Sequence, residues 1–248
     1  VKTEILAGLT TFLAMAYILA VNPGMLGATS MPVQSVFLAT ALASGIASIL
    51  MGVLANYPVS LAPGMGVNAF FTYTVCMQFG YSWQAALAAV FVSGIIFIVI
   101  SITGLRKMII NAIPQQLKLA IGAGIGFFIA FIGLKNAGII VANESTFVAL
   151  GKLTDPVVLL AIFGLVLTLI LLAKKVRAAV FWGLIGTAVV GVIAGLCGVA
   201  NMPQLPTAIM QFNFEMPTLG AFMSGFEELF AQKDFIVVIF SFLFVDFF

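Results

Sequence analysis

The sequence predicts an all-α polytopic membrane protein whose third span is broken. Three observations carry that expectation: an excess of apolar residues, a scarcity of charge, and a regular succession of apolar runs about 20 residues long. Of 248 residues, 63% are hydrophobic and 7% charged, and the mean hydropathy is +1.25. A soluble domain carries roughly 25% charged residues. The 10 Lys and Arg and 8 Asp and Glu here cannot clothe a globule of this size in water. Each crossing takes about 20 apolar residues, so the chain has room for about eight. Its basic residues are scattered among the connections, which gives no nucleic-acid surface. With no His and only Cys76 and Cys197, neither a zinc cluster nor a disulfide framework is expected.

The first apolar run, Ile5–Val21, leads to Asn22-Pro23-Gly24, a cluster expected to end the helix. A second run, Val33–Ala55, is rich in Ala, Gly and Ser, and the third, Pro58–Phe79, is irregular. The fourth is Trp83–Gly104. Beyond it, Arg106, Lys107 and the alternating Met108–Ile113 suit the membrane interface. The fifth run is Leu119–Val141, in which Gly122, Gly124 and Gly126 suggest a close helix-packing face. The sixth is Pro156–Ala173, closed by Lys174, Lys175 and Arg177, and the seventh is Ala178–Val199. A polar, proline-bearing connection then reaches span eight, which opens at about Phe235 and is cut short at Phe248.

Charge orients these runs. With the N-terminus cytoplasmic, Lys2, Arg106, Lys107, Lys118, Lys174, Lys175 and Arg177 lie inside, and only Lys135, Lys152 and Lys233 outside. Seven against three follows the positive-inside rule. Glu144, Asp155, Glu215, Glu227, Glu228 and Asp234 then fall outside. Span eight re-enters from the face opposite to span one, as an inverted repeat requires.

The third run is the most informative. Two prolines and two glycines in Pro58–Gly66 forbid a continuous helix. A helix over Met65–Phe79 reaches about 22 Å, and an extended Pro58–Gly64 adds about 23 Å. Only together do they cross. Non-helical backbone at this depth is tolerated where it lines a cavity or is buried in protein, and broken spans are where transporters hold their cargo. Asn68, beside the break, offers two donors and an acceptor oxygen, enough to read a planar heterocycle. It equally suits an interhelical bond. Thr10 and Thr11 either face the site or bond back to their own helix. Asp246 lies about 18 Å along its helix from Asp234, where a charge costs about 2.5–3.5 kcal/mol even on the mildest scale. It is a proton-relay or ligand candidate, or a carboxyl kept neutral or paired structurally.

Gly8–Ile18, Ala62–Phe71 and Phe242–Phe248 resemble matching stretches of the azaguanine-type purine permeases, within the nucleobase/ascorbate transporter group. Ile110-Asn111-Ala112-Ile113-Pro114 resembles the guanine/hypoxanthine branch. The resemblance implies fourteen spans in two inverted repeats of seven, with short strands of spans three and ten crossing at the substrate. It divides the chain into a first repeat at 1–199, an external amphipathic connection at 200–233, and the opening of span eight at 234–248.

It further implies proton-coupled import of purine bases such as hypoxanthine, guanine or adenine across the cytoplasmic membrane. Gly66, Asn68, Ala69, Phe70 and Thr11 would face the base, with Asp246 the proton-coupling candidate. The family's own substrate-binding acid of span eight would fall just beyond Phe248, so Asp246 is not its direct equivalent. No cofactor or metal is expected, the proton gradient being the energy source. The expected partners are a purine base and lipid, with a homodimer left open. The same fold serves sulfate and bicarbonate exchangers, which are the alternative. A membrane-embedded enzyme is disfavoured, since the chain offers no nucleophile–base pair.

Overall fold

The computed structural model describes residues 2–203 and 217–247, so part of the expected connection at 200–233, with Glu215, lies outside the described residues. In chain order the first helices are α1 (Lys2–Met15), α2 (Ile18–Gly27), α3 (Val33–Leu54), α4 (Met65–Ala69) and a π-helix (Phe70–Gln78). Next come α5 (Trp83–Ile102), α6 (Leu105–Ala112) and α7 (Gln115–Asn136), then a hairpin of β1 (Ile140–Asn143) and β2 (Phe147–Leu150). The chain continues through α8 (Pro156–Ala173), α9 (Ala179–Leu196), α10 (Phe222–Ala231) and α11 (Phe235–Phe247). Six stretches among the described residues are long and apolar enough to cross a membrane: Thr3–Gly27, α3, α5, α7, α8 and α9.

Local chemistry sets the helix ends. Ser82 caps α5 by accepting from the Ala85 N–H at 3.2 Å, and Asp155 caps α8 by accepting from the Val157 N–H at 2.9 Å, with Pro156 in the first turn. α7 ends in a left-handed Gly138 at φ 74°. The Ile139 N–H reaches back to the Leu134 carbonyl, and the Gly138 N–H to that of Lys135, both at 3.0 Å. That closure stops the fifth span before the expected Val141, which enters β1 instead.

The expected stop at Asn22-Pro23-Gly24 is also corrected. α2 runs through Pro23 to Gly27, and the chain turns earlier, at Ala16-Tyr17. Pro23 forfeits one backbone hydrogen bond, which a helix in a bundle tolerates.

The chain forms two compact units. One comprises Val1–Ile18, Ser44–Ala62 and Ala130–Asn213. Its centre is the α8–α9 pair. A Cβ added at Gly164 would lie 2.4 Å from Thr187 Oγ1, and one at Gly183 would lie 2.1 Å from Thr168 Oγ1. Each threonine thus sits opposite the other helix's glycine and donates to the glycine carbonyl four residues back on its own helix, at 2.8 Å for Thr168 and 2.7 Å for Thr187. By contrast, no atom among the described residues lies within 4 Å of a Cβ placed at Gly122, Gly124 or Gly126. The close glycine packing expected in span five is found instead between spans six and seven.

The other unit comprises Leu19–Ala43, Pro63–Ile129 and Phe214–Phe248. Its core gathers Val36, Phe71, Val75, Leu229, Val238 and Phe242 around the alanine face of α5, where Ala85, Ala86, Ala88 and Ala89 are wholly buried. α10 belongs to this core. Gly225 approaches the α5 backbone so closely that a Cβ would stand 2.1 Å from the Gln84 carbonyl oxygen. Glu228 accepts from the Ser82 N–H at 2.9 Å and from the Ser82 hydroxyl, locking α10 to the start of α5. The neighbouring Tyr81 hydroxyl is buried with no hydrogen-bond partner among the described residues. Burial first, then the charges of Asp234 and Glu228, push its phenol above the ordinary tyrosine range.

Candidate functional site

The broken third span is present, and its two halves are held by different means. From Tyr57 to Gly64 the chain is neither helix nor paired strand. Gly64 itself is extended at φ −72°, ψ 128°. The paired strands among the described residues belong to the β1–β2 hairpin, in register Ile140↔Leu150 to Asn143↔Phe147. In place of a ladder, side-chain hydroxyls meet the extended backbone. The Ser60 N–H donates to Thr11 Oγ1 at 3.2 Å, and the Leu61 N–H donates to Ser48 Oγ at 2.9 Å. Backbone donors away from water need such partners. Thr11 also donates to the Gly8 carbonyl at 2.9 Å, and Thr10 donates to that of Leu6 at 2.6 Å. Thr11 therefore anchors the extended stretch within the first unit.

The helical half belongs to the second unit. α4 starts at Met65, and after Ala69 the winding loosens to the π form, as in the Phe79 N–H to Thr74 carbonyl bond at 2.9 Å, five residues apart. Such i→i+5 winding is rare and often marks functional sites. α4 and the π-helix pack on α11. A Cβ at Gly66 would rest 3.9 Å from Val245 and 3.9 Å from Ile125. The Phe70 ring meets Phe242 edge-on with centroids 5.0 Å apart. Gly66, Asn68 and Phe70 thus lie on the segment that faces the helix carrying Asp246. Ser93 of α5 is fully buried beside Asp246, and its hydroxyl closes no hydrogen bond of ordinary geometry among the described residues. Ala69 is fully buried and packs into the core of the unit.

Asn68 is half-buried, and its amide nitrogen donates to the amide oxygen of Asn22. The Asn22 amide nitrogen donates in turn to Thr40 Oγ1 at 2.9 Å. Both partners are nearly sealed, Asn22 at 4% exposure and Thr40 at 3%. The interhelical bond that Asn68 suits is therefore made, and among the described residues it leaves the amide oxygen and one N–H without a partner. Sequence reasoning missed Asn22 and Thr40. The signal was there, a lone Asn within an apolar run, but beside Pro and Gly it reads as a helix stop.

A cavity of about 600 Å³ in the first unit, among α7, α8, α9 and Tyr17, is large enough for a small ligand. Its Thr168 and Thr187 hydroxyls are committed to their own helices, so it offers little to a polar base.

Helices long and apolar enough to cross a membrane, one interrupted span and a polar relay at the interruption define a polytopic membrane protein. The comparisons make the class specific. The family model described as "Permease family", of xanthine/uracil type, matches residues 2–246. The chain belongs to that family and is a multi-pass membrane protein. It is 49% identical to guanine/hypoxanthine permease PbuG of Bacillus subtilis over 257 residues, covering all of this chain and 57% of the relative. It is 43% identical to guanine/hypoxanthine permease PbuO of the same organism, over 86% of this chain and 51% of the relative. Against adenine permease AdeP of Escherichia coli it is 39% identical, over all of this chain and 54% of the relative. The chain spans about half the length of these curated relatives.

Proposed function

We propose that the chain supplies one half of a proton-coupled importer of purine nucleobases, in which Asn68 binds the base and Asp246 takes part in proton coupling. The observation that carries the reading is the edge of Asn68 beside a helix break: an amide oxygen and an N–H that make no hydrogen bond among the described residues. A purine presents donors and acceptors in one plane, and an amide can meet two of them at once. The relatives named for guanine, hypoxanthine and adenine support that class of substrate.

Gly66 leaves room for the base to approach the backbone, and the Phe70 ring adds an aromatic surface against α11. Asp246 sits in an apolar helix, where protonation and release are the natural means of coupling to a proton gradient. In this reading residues 1–199 form the first repeat, 200–233 the external connection and 234 onward the start of the second. The N-terminus is cytoplasmic and the membrane is the inner one.

The test is uptake of labelled hypoxanthine, guanine and adenine by the full gene product that carries this sequence, in cells lacking their own purine permeases. Accumulation that a protonophore abolishes is the expected result. Accumulation of labelled sulfate in place of purine would move the protein to the anion-exchanger reading.

A further inference from the structure

We infer that the hollow where α5 turns into α6 binds the headgroup of an anionic phospholipid, with Arg106 and Lys107 taking its phosphate. The inference stands apart from the identity of the cargo. α5 is one of the helices long and apolar enough to cross a membrane, and its 20 residues rise about 30 Å. Its last residue, Ile102, therefore lies at the level where hydrocarbon gives way to headgroups. There the left-handed Gly104, at φ 74°, turns the chain into the short helix α6. A hollow of about 310 Å³ opens at this turn, lined by Ser101, Gly104, Arg106, Lys107 and Asn111.

α6 has the composition of a boundary helix. Lys107 and Asn111 stand one turn apart on its polar side, while Leu105, Met108, Ile109 and Ala112 recur at helical spacing on the other. Leu105 and Met108 are exposed, as is Ile102 at the end of α5. Apolar side chains thus flank a polar hollow, which matches acyl chains lying beneath a headgroup.

Charge decides the sign of the ligand. From Ile5 to Asn143 the sequence holds Arg106, Lys107, Lys118 and Lys135 and no Asp or Glu. Among the described residues neither Arg106 nor Lys107 pairs with a carboxylate. The Arg106 guanidinium carbon lies instead 4.9 Å from the centroid of the Phe97 ring. A ring face holds a cation in place without neutralising it. The Ser101 hydroxyl and the Asn111 amide close no side-chain hydrogen bond among the described residues either. Two cations, a hydroxyl and an amide therefore keep their capacity around one hollow. Arg and Lys donate to phosphate oxygens, and Ser101 and Asn111 meet the alcohol groups of the head. A zwitterionic head would bring its own cation against Arg106 and Lys107, so the hollow favours a head with net negative charge.

The experiment uses the full gene product, delipidated in detergent and titrated with phosphatidylglycerol or phosphatidylcholine of equal chain length. Native mass spectrometry counts the lipid bound. The wild type should hold phosphatidylglycerol about tenfold tighter or more. Arg106→Gln combined with Lys107→Gln should bring the two lipids to within about threefold of each other. Arg106→Lys combined with Lys107→Arg keeps both charges and should keep the preference. Lys152→Gln removes a charge that does not line the hollow and should leave the preference unchanged. If the paired glutamine variant fails to reach the membrane, Lys107→Gln alone should weaken phosphatidylglycerol about threefold or more. The inference is overturned by equal affinity for the two lipids in the wild type, by an unchanged preference in the glutamine variant, or by an equal loss in Lys152→Gln. Displacement of the lipid by glycerol phosphate at equal concentration would overturn it too, since the hollow would then take a free anion.

Discussion

The α8–α9 seam and the Asn68 junction both place small and hydroxyl-bearing residues inside apolar helices, and they use them in opposite ways. At the seam, Thr168 and Thr187 return their hydroxyls to their own helices, and Gly164 and Gly183 let the backbones close. Nothing polar is left over. At the junction, side chains bond between segments, from Asn68 to Asn22 to Thr40, and the relay ends on an amide with an edge left unbonded among the described residues. Polar content alone does not distinguish a packing surface from a binding surface. What separates them is whether the hydrogen-bonding capacity is consumed locally or carried across elements to an accessible end.

The sharpest way to break that comparison is Asn68→Ala. Loss of the free edge should cut purine uptake by about 10- to 100-fold, since water cannot enter a closed site to take over the amide's hydrogen bonds. Membrane abundance should hold, as the packing of Gly66 and Phe70 on α11 is untouched. Normal uptake with unchanged apparent affinity would reduce Asn68 to a structural tie.

Gly183→Ala probes the other side. The new methyl would meet Thr168 at 2.1 Å, so overpacking should cost about 1–3 kcal/mol. A lower midpoint of thermal inactivation in detergent, with unchanged half-saturation for substrate, is the expected pattern. A change in affinity with no loss of stability would show that the seam belongs to the site.

Thr11→Val lies between the two regions in kind. It removes the acceptor of the Ser60 N–H and leaves a backbone donor unpaired, a loss of about 1–3 kcal/mol. Faster proteolysis or cysteine labelling at residues 58–62 should report the loosened stretch. Labelling identical to wild type would mean that Thr11 does not hold it.

The smallest effect is expected at Tyr81→Phe. The hydroxyl is buried with no partner among the described residues, so its removal should leave stability within about 0.5 kcal/mol of wild type or slightly raise it. A marked loss in the same thermal assay would reveal a partner for the phenol in the working protein.

The sequence by itself determined the class of fold and the location of the interruption. Apolar length is a one-dimensional property, so α3, α5, α8 and α9 fall close to where hydropathy puts them. Proline and glycine act on their own backbone, so the break before Met65 is equally local. Tertiary structure decided what local rules cannot see. Asn22-Pro23-Gly24 reads as a helix stop, yet α2 continues through it, because neighbouring segments pack around the helix and take up the Asn22 amide. Glycine spacing suggests a close face without showing what meets it, so Gly122, Gly124 and Gly126 point to span five, while the close approach among the described residues is at the α8–α9 seam. Nothing in Phe70–Gln78 announces a π-helix, and only the folded chain shows Phe71 and Val75 of that segment buried in one core with α5 and α11. The polar relay belongs to the same category: its members lie 18 and 46 residues apart, and only folding brings a buried donor to its acceptor.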